Sequence, residues 1–209
     1  MMACCDDTTC GTGELKGRQR SVLIKVLLIN AVMFVVEVTA GLLANSTALL
    51  ADSLDMLGDT LVYGFSLYVI ARDAKWQAIS ALIKGLIMLA FGLFVFSEAL
   101  YKMLYPVVPI AETMGIIGVM ALVANATCLL LLNLHRDDDI NMHSVWLCSR
   151  NDIIANVSVL IAGGLVWLLH SGWPDIIVGM GIAGLFLRSA FHVLTASIKQ
   201  MKKDKLNSE

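Results

Sequence analysis

The chain has 209 residues, and its composition is far from that of a water-soluble domain. Hydrophobic residues make up 58% and charged residues 15% of it, whereas an average soluble domain has about 45–50% apolar and about 25% charged residues. The formal net charge of -2 lacks the basic excess that a protein needs to neutralise nucleic-acid phosphates. The composition therefore predicts a membrane protein and excludes a nucleic-acid partner.

Residues 1–21 are polar and precede any apolar run, so we expect a cytoplasmic tail and not a secretory signal sequence. Cys4, Cys5 and Cys10 lie in this tail, where they are either accessory ligands that capture a soft metal ion or ordinary solvated side chains. Cys128 has no metal-binding neighbour at helical spacing, and we interpret it as a packing residue. The cysteine spacing gives no disulfide framework, which favours reduced thiols.

Six apolar stretches follow the tail, each long enough for a helix to cross a hydrocarbon core of about 30 Å. We predict an all-α fold, an integral membrane bundle of six transmembrane helices over residues 22–197. A short basic cytoplasmic tail is expected at 198–209, with no C-terminal cytoplasmic domain. The predicted helices are 22–43, 47–71, 76–104, 112–134, 140–169 and 174–197.

The distribution of basic residues predicts the orientation, because lysine and arginine are retained on the cytoplasmic side of a membrane. The termini and the second and fourth loops contain most of them, whereas the opposite loops contain none, so we expect both termini in the cytoplasm. Lys102, near the end of the third helix, is expected to extend toward the opposite face. Short loops and the lack of an organellar signal favour a bacterial inner membrane. The basic residues of the cytoplasmic side are Lys16, Arg18, Arg20, Lys25, Arg72, Lys75, Arg136, Lys199, Lys202, Lys203 and Lys205.

The second predicted helix contains three carboxylates where the hydrocarbon disfavours charge by at least about 2.5–3.5 kcal/mol each. Asp52, Asp55 and Asp59 are spaced by three and four residues, so they share one helix face. Such a cluster repels itself and is typical of a site for a doubly charged cation. The alternative is that basic side chains in the helices neutralise individual carboxylates as structural ion pairs. The candidate bases are Lys84, Arg150 and Arg188.

The fifth predicted helix offers a matching pair, Cys148 and Asp152, again four residues apart. Together with Asp55 and Asp59 they give three oxygen donors and one thiolate, a set that suits a tetrahedral ion such as Zn²⁺. Calcium and magnesium are disfavoured because these hard ions prefer six or more oxygen ligands. The alternative for Cys148 is that it is a small packed residue, the usual state of a buried free cysteine.

The segment from Asn45 to Asp59 resembles the second helix of the cation diffusion facilitator family of metal transporters. In that family this helix supplies two ligands four residues apart, at the positions matched here by Asp55 and Asp59. The fifth helix supplies two more, matched by Cys148 and Asp152, and the cysteine departs from the family's usual histidine or aspartate. The resemblance therefore implies the same four metal ligands.

The resemblance covers about residues 20–200 and makes Glu37 and Asp52 candidate accessory ligands. Most family members continue into a ferredoxin-like cytoplasmic domain that helps them to dimerise. Because we expect this chain to lack that domain, we expect its homodimer to form through the membrane helices. Lys84 stands where the family commonly has a neutral polar residue. The further matching positions are Glu37, Gly41, Glu98, Pro106 and Trp173-Pro174-Asp175.

The resemblance implies a transporter that exports a divalent metal cation from the cytoplasm by proton antiport. We expect Zn²⁺ as the substrate, with Cd²⁺, Co²⁺ or Hg²⁺ as further candidates because a thiolate favours softer ions. The alternative is a metal-sensing or adaptor membrane protein that transports nothing. No catalytic grouping is present in the helices, so we expect no enzyme and no cofactor beyond the transported ion. The expected partners are divalent metal ions, protons and the lipid bilayer.

Overall fold

The computed structural model describes the backbone of residues 7–69, 74–134 and 140–206. Side chains are described for residues 20–61, 63–64, 82–83, 85–134, 150, 152–195 and 198–199. The described residues form six helices and no strand, in agreement with the predicted all-α class. The helices are α1 (Asp7–Ala44), α2 (Thr47–Val69), α3 (Ala74–Leu104), α4 (Ala111–Asn133), α5 (Ile140–Leu169) and α6 (Trp173–Leu206).

Two helices are longer than the hydrophobicity of the sequence predicted. α1 begins at Asp7, where the prediction placed its start at residue 22, and α6 continues to Leu206, where the prediction ended it at residue 197. These two limits were wrong because an apolar stretch reports where a helix crosses lipid, whereas helical backbone continues into water. The end of α6 from Lys199 to Leu206 consists mostly of residues with high helix propensity, such as lysine, methionine and leucine.

Five segments of the described residues are long and apolar enough to cross a membrane, with mean hydropathy between 1.7 and 2.3. They belong to α1, α3, α4, α5 and α6. α2 is the exception, since every 18-residue stretch of this helix contains Asp52, Asp55 and Asp59. Its 23 residues nevertheless give it a length of about 35 Å, similar to that of a membrane-spanning helix.

α2 occupies the centre of the bundle and contacts α1, α3, α5 and α6. The residues from Ala48 to Leu54 are all buried, with exposed fractions of 1% or less. α3 packs along α6 and α4 packs along α5, and together with α1 these helices surround α2. The outward surfaces carry many exposed large apolar side chains, as expected of helices that face lipid. The polar residues of α2 are therefore enclosed by other helices.

Glycines allow the closest approaches between these helices. A Cβ atom added at Gly92 of α3 would lie 2.7 Å from a methyl group of Leu187 in α6. A Cβ atom at Gly179 of α6 would lie 2.7 Å from the backbone carbonyl carbon of Thr47, at the start of α2. Small residues at such contacts let the helix backbones approach each other, which is how membrane helices gain packing energy. α6 is thereby held against both α3 and α2.

The first turn of α2 is capped by a side chain of another helix. Asp175, in the first turn of α6, accepts hydrogen bonds from the backbone N–H groups of Thr47 at 2.7 Å and Ala48 at 3.0 Å. The hydroxyl of Ser46 donates to the same carboxylate at 2.6 Å and accepts a bond from the N–H of Leu49 at 3.1 Å. A negative charge at this position satisfies free N–H groups and opposes the positive end of the helix dipole. Asp175 therefore joins the beginnings of α2 and α6.

Lys102, near the end of α3, is buried with only 2% of its surface exposed. Its ammonium group donates a hydrogen bond to the carbonyl oxygen of Asn45 at 2.9 Å and lies 3.3 Å from a carboxylate oxygen of Glu98. Asn45 directly follows α1 and has a φ of 52°, a left-handed conformation that asparagine tolerates well. Lys102 thus reaches the α1–α2 turn, one of the loops toward which the sequence predicted it would extend, and its carbonyl partner there lies inside the bundle.

Replacing Asp175 with alanine should lower the stability of the bundle, because the first N–H groups of α2 would lose their buried acceptor. Loss of a helix cap costs about 1–2 kcal/mol, and burial of this cap places the expected cost at the upper end of that range. Thermal unfolding of the purified protein in detergent would measure the effect. Glu112→Ala is the matched control, since Glu112 also lies in the first turn of a helix but is exposed. Equal melting temperatures of the two variants would contradict the role of the cap.

Candidate metal site

α2 and α5 bring three of the four predicted ligands to one cavity. Asp55 and Asp59 of α2 and Asp152 of α5 line a space of about 580 Å³ between α2, α3, α5 and α6. Their burial is intermediate, because they border this space, whereas the core side chains of α2 are fully packed. The remaining lining is mostly apolar and includes Met88 and Phe186. The cavity thus combines three clustered carboxylates with a wall that is mostly apolar.

Hydrogen bonds from two helices hold the carboxylate of Asp59. The amide nitrogen of Asn30 in α1 donates to its Oδ2 atom at 3.2 Å, and the hydroxyl of Tyr63, one turn further along α2, donates to the same atom at 2.9 Å. Hydrogen bonds to a charged acceptor are stronger than those between neutral groups. Both donors therefore orient Asp59 before any cation binds.

Cys128 affects Asp59 only indirectly, through its contact with Asn30. It is buried, as the packing interpretation expected, and its thiol lies 3.9 Å from the side-chain carbonyl oxygen of Asn30. A thiol is a weak donor, so this contact mainly keeps the Asn30 amide turned with its nitrogen toward Asp59. Cys128 is thus a packing residue that also contacts a residue bound to the candidate site.

The fourth predicted ligand and the tail cysteines lie outside what the structure describes. Cys148 belongs to α5, but its side chain is not among the described ones, and the same holds for Cys10. The prediction at Cys4 and Cys5 falls on residues outside the described backbone. Within the described side chains, no group of three or more histidine, cysteine, aspartate or glutamate residues is close enough to hold a metal ion. The three aspartates therefore share a cavity without forming a closed coordination sphere by themselves.

The two accessory candidates, Glu37 and Asp52, lie outside the cavity lining and are fully buried, at 0% exposure. The amide nitrogen of Asn156 in α5 donates to Oδ1 of Asp52 at 3.4 Å and to the carbonyl oxygen of Asp152 at 2.8 Å. Both carboxylate oxygens of Glu37 and Oδ2 of Asp52 lack a hydrogen-bond partner among the described residues. The structure thus separates the acidic residues into a cavity group and a deeper buried group.

Structural ion pairs do not explain the buried group in the part of the chain that the structure describes. Arg150 and Arg188 are exposed, and the side chain of Lys84 is not among the described ones. Lys102 pairs with Glu98, near the end of α3. A buried carboxylate without a base is costly, so the ion-pair alternative gains no support at Glu37 or Asp52.

Three polar residues at this site were not identified from the sequence: Asn30, Tyr63 and Asn156. Asn156 follows Asp152 by four residues and Tyr63 follows Asp59 by four residues, so each shares a helix face with a candidate ligand. A buried asparagine in an apolar helix is itself a signal, because polar side chains in a membrane interior are usually retained for a partner. The spacing could have revealed Tyr63 and Asn156, whereas the contact of Asn30 depends on how α1 packs against α2.

Comparisons with known proteins agree with this architecture. The model of the cation efflux transmembrane domain family matches residues 23–201. The cadmium, cobalt and zinc/H(+)-K(+) antiporter of Bacillus subtilis is 27% identical over 194 residues, which cover 83% of this chain and 62% of that protein. The zinc transporter ZitB of Pectobacterium atrosepticum is 27% identical over 194 residues, with coverage of 86% and 60%.

A third relative, the metal cation efflux system protein CzcD of Cupriavidus metallidurans, is 22% identical over 203 residues, with coverage of 87% and 63%. The chain spans about three fifths of the length of these three relatives.

Replacing Tyr63 with phenylalanine should weaken metal binding at the cavity, because Asp59 would lose a donor that orients it. Loss of a hydrogen bond that orients a metal ligand typically lowers metal affinity by about 10-fold to 100-fold, and we expect the lower end for one of the donors to Asp59. Equilibrium dialysis of the purified protein against Zn²⁺ would measure the change. Tyr105→Phe, at an exposed position after α3, should bind like the wild type. An unchanged affinity in Tyr63→Phe would contradict the role of the Tyr63–Asp59 hydrogen bond in metal binding.

Proposed function

The chain belongs to the cation diffusion facilitator family, and from this membership we propose that it carries divalent metal cations across a membrane. Its long apolar helices and its family make it a multi-pass membrane protein. We propose export from the cytoplasm with Zn²⁺ as the main substrate and with Cd²⁺, Co²⁺ and Hg²⁺ as further candidates. The relatives from Bacillus subtilis and Pectobacterium atrosepticum are both named for zinc, which supports zinc as the first ion to test.

The observation that carries the proposal is the cavity lined by Asp55, Asp59 and Asp152. Three carboxylates from two helices border a space inside a bundle whose outer surface is apolar. Such a concentration of like charge is unfavourable unless a cation occupies it, since the low local polarity strengthens the repulsion. With the thiolate of Cys148 as a fourth donor, the set suits tetrahedral Zn²⁺ and accepts softer ions.

Proton antiport follows from the chemistry of these ligands. Metal ions bind deprotonated carboxylates and thiolates, so protons and metal compete for the same atoms. A site open to the cytoplasm loads the metal, and the same site open to a more acidic compartment exchanges it for protons. Neutralising the carboxylates in both states avoids leaving several bare charges together in the membrane. The Bacillus subtilis relative is named a cadmium, cobalt and zinc/H(+)-K(+) antiporter, which supports a coupled exchange.

For the membrane topology we propose six spans. α2 is one of them, although its three aspartates make it less apolar than the other five helices. A helix of 23 residues is long enough to span, and its acidic residues are enclosed by other helices. Six spans place both termini on one side, which the basic residues assign to the cytoplasm. A bacterial inner membrane and a homodimer formed through the membrane helices complete this proposal.

The second candidate function, a metal sensor or adaptor, requires binding without transport. The preformed hydrogen bonds to Asp59 favour binding in either case, so static geometry serves both functions. Flux across a sealed membrane distinguishes them, because a sensor binds stoichiometrically and moves nothing.

Purified protein in sealed vesicles should take up Zn²⁺ with saturable kinetics, faster when the vesicle interior is the more acidic side. Asp59→Ala should lower the rate by at least about 10-fold, since it removes a ligand and not merely the donors that orient one. A metal-sensitive dye inside the vesicles would report uptake with and without the pH gradient.

Glu112→Ala is the matched control for that experiment, because it removes an exposed carboxylate far along the sequence from the cavity residues. It should transport like the wild type. Stoichiometric Zn²⁺ binding without any uptake by the wild type would contradict the carrier function and support the sensor function.

Replacing Cys148 with aspartate should change selectivity more than rate, because an all-oxygen site loses its soft donor. We expect the ratio of Cd²⁺ uptake to Zn²⁺ uptake to fall by about 10-fold, the order of magnitude associated with changed ligand environments. Cys128→Ala is the matched cysteine control and should leave the ratio unchanged even if it lowers both rates. An unchanged ratio in Cys148→Asp would remove Cys148 from the ligand set.

A further inference from the structure

Three side chains from three helices meet in the buried group beside the cavity. Glu37 of α1, Asp52 of α2 and Asn156 of α5 are all fully buried, at 0% exposure. Asn156 donates its amide nitrogen to Asp52 and to the backbone of Asp152, which fixes the orientation of the amide. Two contacts join α1 and α2, Asn30 with Asp59 and Gly41 with Leu50, and Glu37 and Asp52 lie between them at the same level of the two helices. These contacts define the group, and α2 is the helix that the other two share.

The group has acceptors in excess of donors. Four of its oxygen atoms have no hydrogen-bond partner among the described residues: both carboxylate oxygens of Glu37, Oδ2 of Asp52 and Oδ1 of Asn156. Leaving buried acceptors unsatisfied costs about 1–3 kcal/mol each, and more for charged groups. A water molecule would supply donors but no positive charge, whereas two neighbouring carboxylates in a membrane interior need either a counter-charge or bound protons. The chemistry of the group is that of a cation site made of oxygen ligands.

The position of the group along the bundle is set by three independent helices. Asp52 precedes Asp59 by seven residues, and Glu37 follows Asn30, the partner of Asp59, by seven residues, so each is displaced by about 10 Å along its helix. Both displacements point toward the α1–α2 turn. Asn156 is one turn beyond Asp152 in the direction of the α5–α6 connection, which Asp175 joins to that same turn. The group therefore lies between the cavity and one end of the bundle.

We propose that Glu37, Asp52 and Asn156 form a second binding station for the transported divalent cation, on its way from the cavity to the end of the bundle at Asn45 and Asp175. This inference rests on the proposed transport function. The station offers two carboxylates and one amide oxygen without a sulfur ligand, so it binds the ion more weakly than the set containing Cys148. Weak binding at an intermediate site lets an ion leave, as conduction through successive sites requires.

The test compares Glu37→Gln with Asp59→Ala in the full chain, because glutamine keeps the shape of glutamate and removes its charge. Equilibrium dialysis gives Zn²⁺ binding, and sealed vesicles give both net uptake driven by a pH gradient and exchange of external Zn²⁺ for internal Zn²⁺ without a gradient. We expect Glu37→Gln to retain the tighter Zn²⁺ binding of the cavity within about 3-fold, while net uptake and exchange both fall by at least about 10-fold. Asp59→Ala should lose binding as well, and Glu112→Gln should behave like the wild type.

Each other outcome overturns the inference in a distinct way. Uptake and exchange at wild-type rates in Glu37→Gln would show that the buried group is not a binding station for the cation. Loss of binding together with uptake would make Glu37 part of the cavity site. Normal exchange with only the pH-driven uptake lost would assign the group to protons and not to the metal. Absence of Zn²⁺ uptake by the wild type would refute the proposed transport function itself. This outcome differs from the others because it is seen in the wild type and not in a variant.

A second variant keeps the test decisive if Glu37→Gln fails to fold, as judged by size-exclusion chromatography and thermal unfolding. Asn156→Leu has a similar volume and removes the amide oxygen and the donor to Asp52 without touching either carboxylate. The same pattern is expected of it, with Zn²⁺ binding retained and uptake and exchange reduced. Wild-type rates in Asn156→Leu would overturn the station.

Discussion

The carboxylate of Asp175 accepts hydrogen bonds from the first N–H groups of α2 and from the hydroxyl of Ser46, all of them buried. Because successive residues of a helix are rotated by about 100°, fixing the first turn of α2 also fixes the direction in which each later side chain points. The positions of Asp55 and Asp59 relative to α5 depend on this turn. The close contact of Gly179 with Thr47 holds the same junction from the side of α6.

The second constraint is that buried carboxylates need hydrogen-bond or charge partners. The carboxylates along α2 have such partners to different degrees. Asp59 has donors from Asn30 and Tyr63, and it borders a cavity. Asp52, two turns earlier, has one long contact from Asn156 and one oxygen without a partner among the described residues. Glu37 beside it has none in that part of the chain. A bundle selected for stability alone would pair or remove such groups, and departures of this kind are expected where a protein acts on a ligand.

The helices were predictable because each follows from local sequence. Apolar stretches of membrane length, separated by short polar or turn-forming connections, predicted the six elements and most of their ends. The beginning of α1 and the end of α6 were predicted wrongly, since polar residues do not end a helix. The acidic residues of α2 and their common face followed from spacing alone. The match of residues 23–201 to one family agrees with the resemblance seen in the segment from Asn45 to Asp59.

The sequence by itself determined which residues are costly in a membrane and which of them share a helix face, because helical periodicity is a local property of the chain. It did not determine which helix faces which, and that decided the partners. Asn30 donates to Asp59, Asp175 caps α2, and Lys102 donates to Asn45 only because distant segments pack together. Spacing along one helix cannot reveal these contacts, since each joins residues at least 29 positions apart. The division of the acids into a cavity group and a buried group is therefore a property of the tertiary structure.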